Sequence, residues 1–155
     1  MVIKLNFPSF NMKVKTEGGQ TKVFDPIRRK YVALTPEERV RQHVVNFLVV
    51  TKGYPMGLLR VEKKVTVNSL PQRADIIAYN KQGNALLVVE CKSYTTELTQ
   101  QVYQQAARYN TTLKAPFLLV TNGLKHFCSK IDFEKKTSTP LETIPKFEEI
   151  CQASS

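Results

Sequence analysis

Two carboxylates and an amine near the middle of the chain are the residues best suited to chemistry: Asp75, Glu90 and Lys92. Glu90 and Lys92 follow the apolar run 86–89, and alternate side chains on a strand share a face. Such a run is typical of a central strand that is covered on both sides of a sheet. Charges at its end are costly unless they pair or bind a ligand, so we expect one of these arrangements.

A predicted hairpin brings Asp75 toward the two other charged residues. Segments 73–79 and 85–92 have the composition of strands, and the polar segment 80–84 between them contains a glycine. Antiparallel pairing across this turn places Asp75 close to the charged end of the second strand. The three side chains are therefore expected to share one site.

This combination predicts a site for a hard divalent cation. Mg²⁺ in proteins binds one or two carboxylates and completes its octahedron with water and substrate oxygens. Asp75 and Glu90 are the expected carboxylate ligands, with the backbone carbonyl of Cys91 as a third oxygen. Lys92 is expected to reach the attacking water, to orient or deprotonate it, or to offset charge on the phosphorus oxygens. The predicted reaction is metal-assisted hydrolysis of a phosphodiester bond.

The position in the predicted fold, rather than the tripeptide itself, selects this site. The spacing Glu-x-Lys occurs three times, at Glu62/Lys64, Glu90/Lys92 and Glu134/Lys136. The middle pair alone ends an apolar strand and follows an aspartate at hairpin distance. The alternative interpretation is a structural ion pair, because ion-pair networks also gather charged residues.

The first helix is predicted to begin after Thr35, which suits the N-cap, with Pro36 in the first helical position. Glu38 is interpreted as the return arm of a capping box, pointing away from the apolar stripe. Glu37 lies on the side of the stripe, toward whatever the helix packs on. Capping explains Glu38 but not Glu37.

A second helix is predicted at 98–113. Gln105 and Tyr109 lie about 40° apart on its apolar stripe, where a polar amide needs a partner. A strand-edge cap for the first and an ordinary core position for the second are the alternatives. Strands are predicted at 58–67 and at 115–123, the latter parallel because it follows a helical crossover. The predicted order is helix, three antiparallel strands, helix, strand.

The chain of 155 residues has the length and composition of one globular domain. Lys and Arg number 23 against 13 Asp and Glu, a formal net charge of +10. This surplus favours a polyanionic partner, nucleic acid above all, although a basic protein without such a partner has the same composition. We expect an N-terminal arm or short strands at 1–34, a core at 35–125 and a C-terminal extension with little pattern at 126–155.

The cysteines and the N-terminus bear on where the protein works. Three cysteines without CxxC spacing argue against a disulfide scaffold and a structural zinc site, and favour a reducing cytoplasm. The N-terminus lacks the apolar core of a signal peptide, and no apolar run approaches the ~20 residues that cross a bilayer. We therefore expect a cytoplasmic protein that does not enter a membrane.

The arrangement Asp75…Glu90-x-Lys92 resembles the PD-(D/E)xK motif of a nuclease superfamily. Gln105 and Tyr109 have the spacing of the QxxxY motif that some of these nucleases carry on the following helix. If the resemblance holds, these two residues brace the site or contact DNA.

The resemblance also implies a fold, a reaction and a cofactor. The fold is a restriction-endonuclease-like αβββαβ core, an α/β architecture with a mixed central sheet flanked by helices. The reaction is DNA cleavage that depends on Mg²⁺ or Mn²⁺, with Asp75 and Glu90 as metal ligands and Lys92 as the catalytic lysine. A glutamate of the first helix often joins such sites, and Glu37 is the candidate in this chain.

The runs 35–42 and 120–123 resemble, more specifically, the N-terminal nuclease domain of the restriction subunit of type I restriction enzymes. The likeness covers about residues 25–125, with Ala74 in place of the motif's proline. The chain has no GxxxxGK[ST] phosphate loop, so ATP-driven translocation is not implied. We expect a standalone nuclease or a domain that depends on a separate motor or specificity protein.

Two other functions are compatible with the sequence. One is a non-catalytic nucleic-acid-binding or assembly module on the same fold. The other is a junction-resolving or RNA-processing nuclease, because a fold alone does not choose the substrate.

Overall fold

The computed structural model of the chain describes residues 3–67 and 70–153, with the backbone alone for 63–67 and 70–73. The N-terminal part forms a small antiparallel sheet of three strands, β1 (Val14–Glu17), β2 (Gln20–Asp25) and β3 (Lys30–Ala33). Region 1–34 therefore contains short strands, one of its two predicted forms.

A larger, mixed sheet forms the centre of the molecule. Its strands within the described residues are β4 (Leu59–Val67), β5 (Leu70–Tyr79), β6 (Ala85–Cys91), β7 (Phe117–Thr121), β8 (His126–Asp132) and β9 (Thr137–Leu141), which lie side by side in that order. Strands β6 and β7 are parallel, and the other neighbours are antiparallel. The predicted three-strand meander and the parallel strand after the second helix are confirmed.

Strand β5 begins earlier than predicted. The sequence predicts a turn at 68–71, but Pro71 pairs with Thr66 of β4, so Leu70 and Pro71 belong to the strand. Proline is compatible with the start of a strand, because it needs no ladder donor there and favours an extended residue before it. The other two residues of that turn, 68–69, lie outside the described residues.

The central sheet continues beyond residue 125, where little pattern was expected. Strand β9 is polar and mostly exposed, and β8 has no regular alternation of buried and exposed residues. Strands with such burial patterns give no hydrophobic periodicity, which is the main signal for a strand in a sequence. Within this region the segment 144–150 has the pattern of a helical turn or two, and the helix α3 (Phe147–Ala153) overlaps it.

Two longer helices cover opposite faces of the central sheet. They are α1 (Pro36–Asn46), which continues as a π-helical turn at Phe47–Thr51, and α2 (Gln100–Leu113); a short 3₁₀ turn lies at Met56–Leu58. One core cluster joins α1 to Ile76 and Val89, and the other joins α2 to Ile77 and Val88. The predicted αβββαβ order is confirmed. No helix in the described ranges is long and apolar enough to cross a membrane.

Both of these helices begin at a threonine cap. The hydroxyl of Thr35 accepts a hydrogen bond from the N–H of Glu38 at 3.1 Å, as predicted. The hydroxyl of Thr99 accepts one from the N–H of Val102 at 3.3 Å. Helix α2 therefore starts two residues later than predicted, since Leu98 lies before the cap.

Candidate active site

Asp75 lies where the β5–β6 hairpin opens. The pairing of these strands runs from Tyr79 to the pair Ile76/Val89. Beside that pair, Oδ2 of Asp75 accepts a hydrogen bond from the backbone N–H of Cys91 at 2.8 Å. The side chain thus satisfies a buried backbone donor, and this bond holds the carboxylate next to the charged end of β6.

The other carboxylate oxygen of Asp75 is bonded to helix α1. Nη2 of Arg41 donates a hydrogen bond to Oδ1 of Asp75 at 2.7 Å. The two side chains are largely buried, with 8% and 10% of their surfaces exposed, and such a charge-assisted pair is strong. Each oxygen of Asp75 therefore has a protein partner, and each can still accept a second interaction.

Glu90 and Lys92 complete the predicted trio. Nζ of Lys92 lies 3.2 Å from Oε1 of Glu90. The pKa of Glu90 is raised to about 7, first by burial and then by the negative charge of Asp75, while Lys92 opposes the shift. The structure therefore brings the three residues together, with the two carboxylates close enough to repel each other.

Glu37 lies at the edge of this group. About half of its side chain is exposed (48%), and its Oε1 is 3.4 Å from Nη2 of Arg41. Its pKa is raised by burial and then by the charge of Asp75, which places it in the same electrostatic environment. Its role as a further metal ligand stays a prediction.

The capping-box interpretation of Glu38 is wrong. Its carboxylate is buried and accepts hydrogen bonds from Arg28, Arg41 and Gln42 at 2.7, 2.5 and 3.0 Å. The backbone N–H of Thr35, its expected partner, bonds to Ala33 instead. Glu38 faces inward because the loop after β2 covers this side of α1, and two guanidinium groups compensate the buried charge.

The two predicted residues of α2 have different environments. Gln105 is exposed, so water can satisfy its amide. Tyr109 is buried, and its hydroxyl has no hydrogen-bond partner among the described residues. Its pKa is raised to about 12 by burial, then by the charges of Glu90 and Asp75, so the ring lies within the electrostatic reach of the site. Bracing or DNA contact by either residue stays a prediction.

Cys91 contributes to the site through its backbone only. Its side chain is buried in the core cluster on the α1 side, as strand alternation predicts. Burial raises the pKa of its thiol, which keeps it neutral and inert. The proposed metal contact of its carbonyl oxygen stays a prediction.

The oxygen donors at the open end of the β5–β6 hairpin suit a magnesium ion. In the part of the chain that the structure describes, no group of three or more His, Cys, Asp or Glu side chains is arranged to hold a metal. Mg²⁺ needs fewer protein ligands, since it keeps several waters and binds one or two carboxylates. Asp75 and Glu90 are hard donors, and a cation between them would relieve the repulsion that raises the pKa of Glu90.

Arg41 is the residue of the site that the sequence argument missed. It follows Glu37 and Glu38 by four and three residues, a spacing at which helical side chains are neighbours. That signal indicates a helix-surface ion pair. The contact with Asp75, 34 positions away along the chain, depends on the packing of α1 against the sheet.

Comparisons with known proteins agree with this fold. Residues 36–145 match the family described as type I restriction enzyme R protein N terminus (HSDR_N). Over 67 residues the chain is 36% identical to the type I restriction enzyme EcoAI endonuclease subunit of Escherichia coli. The aligned segment covers 43% of this chain and 8% of that protein.

A solved structure gives the same result. It is a fragment assigned to an HsdR subunit of a type I restriction enzyme from Vibrio vulnificus YJ016, with a TM-score of 0.54 and 22% identity, covering 77% of this chain and 25% of that chain. This likeness shows the fold, which is restriction-endonuclease-like. The chain thus spans a small part of the length of either relative. Because the family match extends over most of the sequence, the chain belongs to the family of type I restriction enzyme R protein N-termini.

Proposed function

We propose that this chain is a nuclease module of a restriction system, which hydrolyses DNA phosphodiester bonds with the help of Mg²⁺ or Mn²⁺. The observation that carries the proposal is the convergence of Asp75 and Glu90 at the open end of the β5–β6 hairpin, with Lys92 beside them. The family of the chain supports it, since the similar E. coli protein is an endonuclease subunit.

Each residue of the site has a distinct proposed role. Asp75 and Glu90 hold the ion, and Arg41 fixes the carboxylate of Asp75. The ion, when bound, polarises the phosphate and lowers the pKa of a water molecule. Lys92 orients that water or offsets charge on the phosphate oxygens. We propose that Tyr109 braces the site from helix α2, with its hydroxyl buried and without a partner among the described residues.

The proposed substrate and partners follow from charge and family. A net charge of +10 favours binding to the phosphate backbone, largely without base recognition. The similar proteins are subunits of restriction enzymes, so a separate motor or specificity protein is a proposed partner. We propose that the protein acts in the cytoplasm, where its thiols remain reduced.

One observation favours a second candidate function, a non-catalytic DNA-binding module. Both oxygens of Asp75 are already bonded, to Arg41 and to the N–H of Cys91. A carboxylate held in this way also serves as a purely structural ion-pair partner.

A plasmid-cleavage assay separates the two candidates. Supercoiled plasmid is incubated with the protein in Mg²⁺ or Mn²⁺, and then with chelator, for wild type, Asp75→Ala and Lys92→Ala. Glu134→Gln is the matched control, because Glu134 and Lys136 repeat the Glu-x-Lys spacing at an exposed position. We expect cleavage by wild type and the control with either metal, and none by the two site variants.

Two results would oppose the proposal. Nicking that persists in both site variants would show that the cleaving residues lie elsewhere. DNA binding without cleavage of any substrate would favour the non-catalytic module.

A further inference from the structure

The small N-terminal sheet is joined to the site by a continuous series of charged side chains. The series starts at Asp25, which is completely buried at the end of β2. Its Oδ1 accepts hydrogen bonds from the backbone N–H groups of Ile27 and Arg28, at 2.7 and 3.1 Å. Its Oδ2 accepts one from Nε of Arg28 at 2.5 Å. Asp25 thereby fixes both the loop and the base of the guanidinium group.

The two terminal nitrogens of Arg28 reach other elements. Nη2 donates to Oε1 of Glu38 on α1 at 2.7 Å, and Nη1 donates to Oε1 of Glu62 on β4 at 2.6 Å. A planar guanidinium group with donors on separate sides can bridge three carboxylates in this way, whereas an ammonium group cannot hold the same geometry. Arg28 therefore ties the small sheet, α1 and β4 together.

Glu38 links Arg28 to the arginine that holds Asp75. Its Oε1 also accepts a hydrogen bond from Nη1 of Arg41 at 2.5 Å, and Nη2 of Arg41 bonds to Asp75 at 2.7 Å. The side chains of Glu38 and Arg41 are 6% and 8% exposed. In such a buried network, loss of one member leaves its neighbours with uncompensated charge, so they move or take new partners.

We propose that Arg28 is a positioning residue for Asp75, acting through Glu38 and Arg41. The small sheet then supports the metal site through these ion pairs, although it lies outside the residues 36–145 that match the family. The inference rests on the proposed function, since it concerns the ion that Asp75 holds. The alternative is that these ion pairs only fasten the small sheet to the rest of the chain.

Binding of Mn²⁺ alone, measured by titration calorimetry on the full chain, tests the proposal. We expect Arg28→Gln to weaken Mn²⁺ binding by about three- to tenfold, less than the ~10- to 100-fold typical of losing a direct partner of a metal ligand, because Arg28 acts through Glu38 and Arg41. Arg28→Lys retains the charge but lacks the planar guanidinium group, so we expect an intermediate affinity. This variant replaces Arg28→Gln in the comparison if Arg28→Gln does not fold. Lys30→Gln, at an exposed position two residues away, is the control and should bind as wild type does.

A second measurement does not depend on the metal. Melting temperatures are compared for wild type, Arg28→Lys, Asp75→Asn and the double variant, in chelator. Because Glu38 and Arg41 join Arg28 to Asp75 in one network of ion pairs, we expect the two shifts to be non-additive by about 2 °C or more.

The outcomes distinguish this inference from the proposed function. Additive shifts, or unchanged Mn²⁺ affinity in folded Arg28 variants, would overturn the positioning role. Absence of Mn²⁺ binding by wild type would overturn the proposed metal site, and the double-variant comparison would still decide whether Arg28 and Asp75 are coupled.

Discussion

At the level of single residues, Glu90 carries the clearest electrostatic feature of the site. Its pKa is raised from 4.5 to about 7 by burial and then by Asp75, although Lys92 lies beside it. A carboxylate that prefers to be protonated destabilises the folded chain once it ionises. Such a perturbed pKa is typical of groups that serve a ligand rather than the fold.

Glu90→Gln tests this directly. The folded state holds the proton of Glu90 more tightly than the unfolded state, so the stability that it contributes is present below pH 4.5 and lost as the pH rises through about 7. Glutamine cannot ionise. In chelator above pH 7 we expect Glu90→Gln to melt about 2–4 °C higher than wild type, and the difference to shrink near pH 5. The exposed variant Glu134→Gln should show no such pH-dependent gain.

Tyr109→Phe separates a functional hydroxyl from a structural one. The hydroxyl is buried without a partner among the described residues, so its removal should leave the melting temperature unchanged or higher. Because we propose that Tyr109 braces the site, cleavage of plasmid should fall at the same time. Tyr103→Phe is the control, because its hydroxyl lies 3.2 Å from that of Ser138. Loss of stability in Tyr109→Phe, with normal cleavage, would contradict this interpretation.

At the level of elements, the turn after β7 fixes the N-terminal segment against α1. Gly123 has φ +88°, and a Cβ atom there would lie 3.0 Å from Cδ2 of Leu5 and 3.1 Å from Cγ2 of Val40. The backbone carbonyl of Gly123 also accepts a hydrogen bond from the N–H of Asn6 at 2.7 Å. A side chain at this position would strain the backbone and would require Leu5 and Val40 to shift by a few tenths of an ångström.

Gly123→Ala should therefore destabilise the protein by about 1–3 kcal/mol, from backbone strain together with crowding. Gly83→Ala is the matched control, because Gly83 has nearly the same φ, +86°, with no atom within 4 Å of the added Cβ. Chemical denaturation of both variants isolates the contribution of crowding. Equal losses would show that the contacts with Leu5 and Val40 adjust without cost.

The sequence predicts those elements that have a strong local signal. The apolar runs of β6 and β7 and the turn between β5 and β6 predict the meander, the parallel strand and the place where Asp75 approaches Glu90, and Thr35 predicts the start of α1. The buried role of Glu38 was not predictable, because its partner Arg28 comes from another sheet. Ion pairs between distant segments leave no periodic pattern, and the polar strands β8 and β9 leave none either.

At the scale of the whole molecule, some of the positively charged side chains are buried in ion pairs and others lie at the surface. Within the described residues, Arg28 and Arg41 are bound in the buried network. Lys13, just before β1, and Lys15, on β1, lie over the rings of Phe24 and Tyr31, at 5.2 and 4.1 Å, and Lys15 also forms a surface ion pair with Glu17. The net charge of +10 is thus carried in large part by side chains at the surface. Such a distribution favours contact with phosphate groups over recognition of bases.

DNA binding by the whole chain should accordingly be sensitive to salt. In chelator, where no cleavage is expected, the affinity for duplex DNA should fall about tenfold or more between about 50 and about 200 mM salt, because bound counterions are released on binding. Fluorescence anisotropy on duplexes of different sequence measures both the slope and any base preference. Affinity that is independent of salt, or confined to one sequence, would contradict the electrostatic account.

The position of a bound metal ion tests the central claim most directly. Crystals of the protein soaked in Mn²⁺ are measured at a wavelength at which manganese scatters anomalously. We expect one strong peak at coordination distance, about 2.1 Å, from carboxylate oxygens of both Asp75 and Glu90. A peak at other residues only, or none at a Mn²⁺ concentration that supports cleavage, would contradict the assignment of this corner as the metal site.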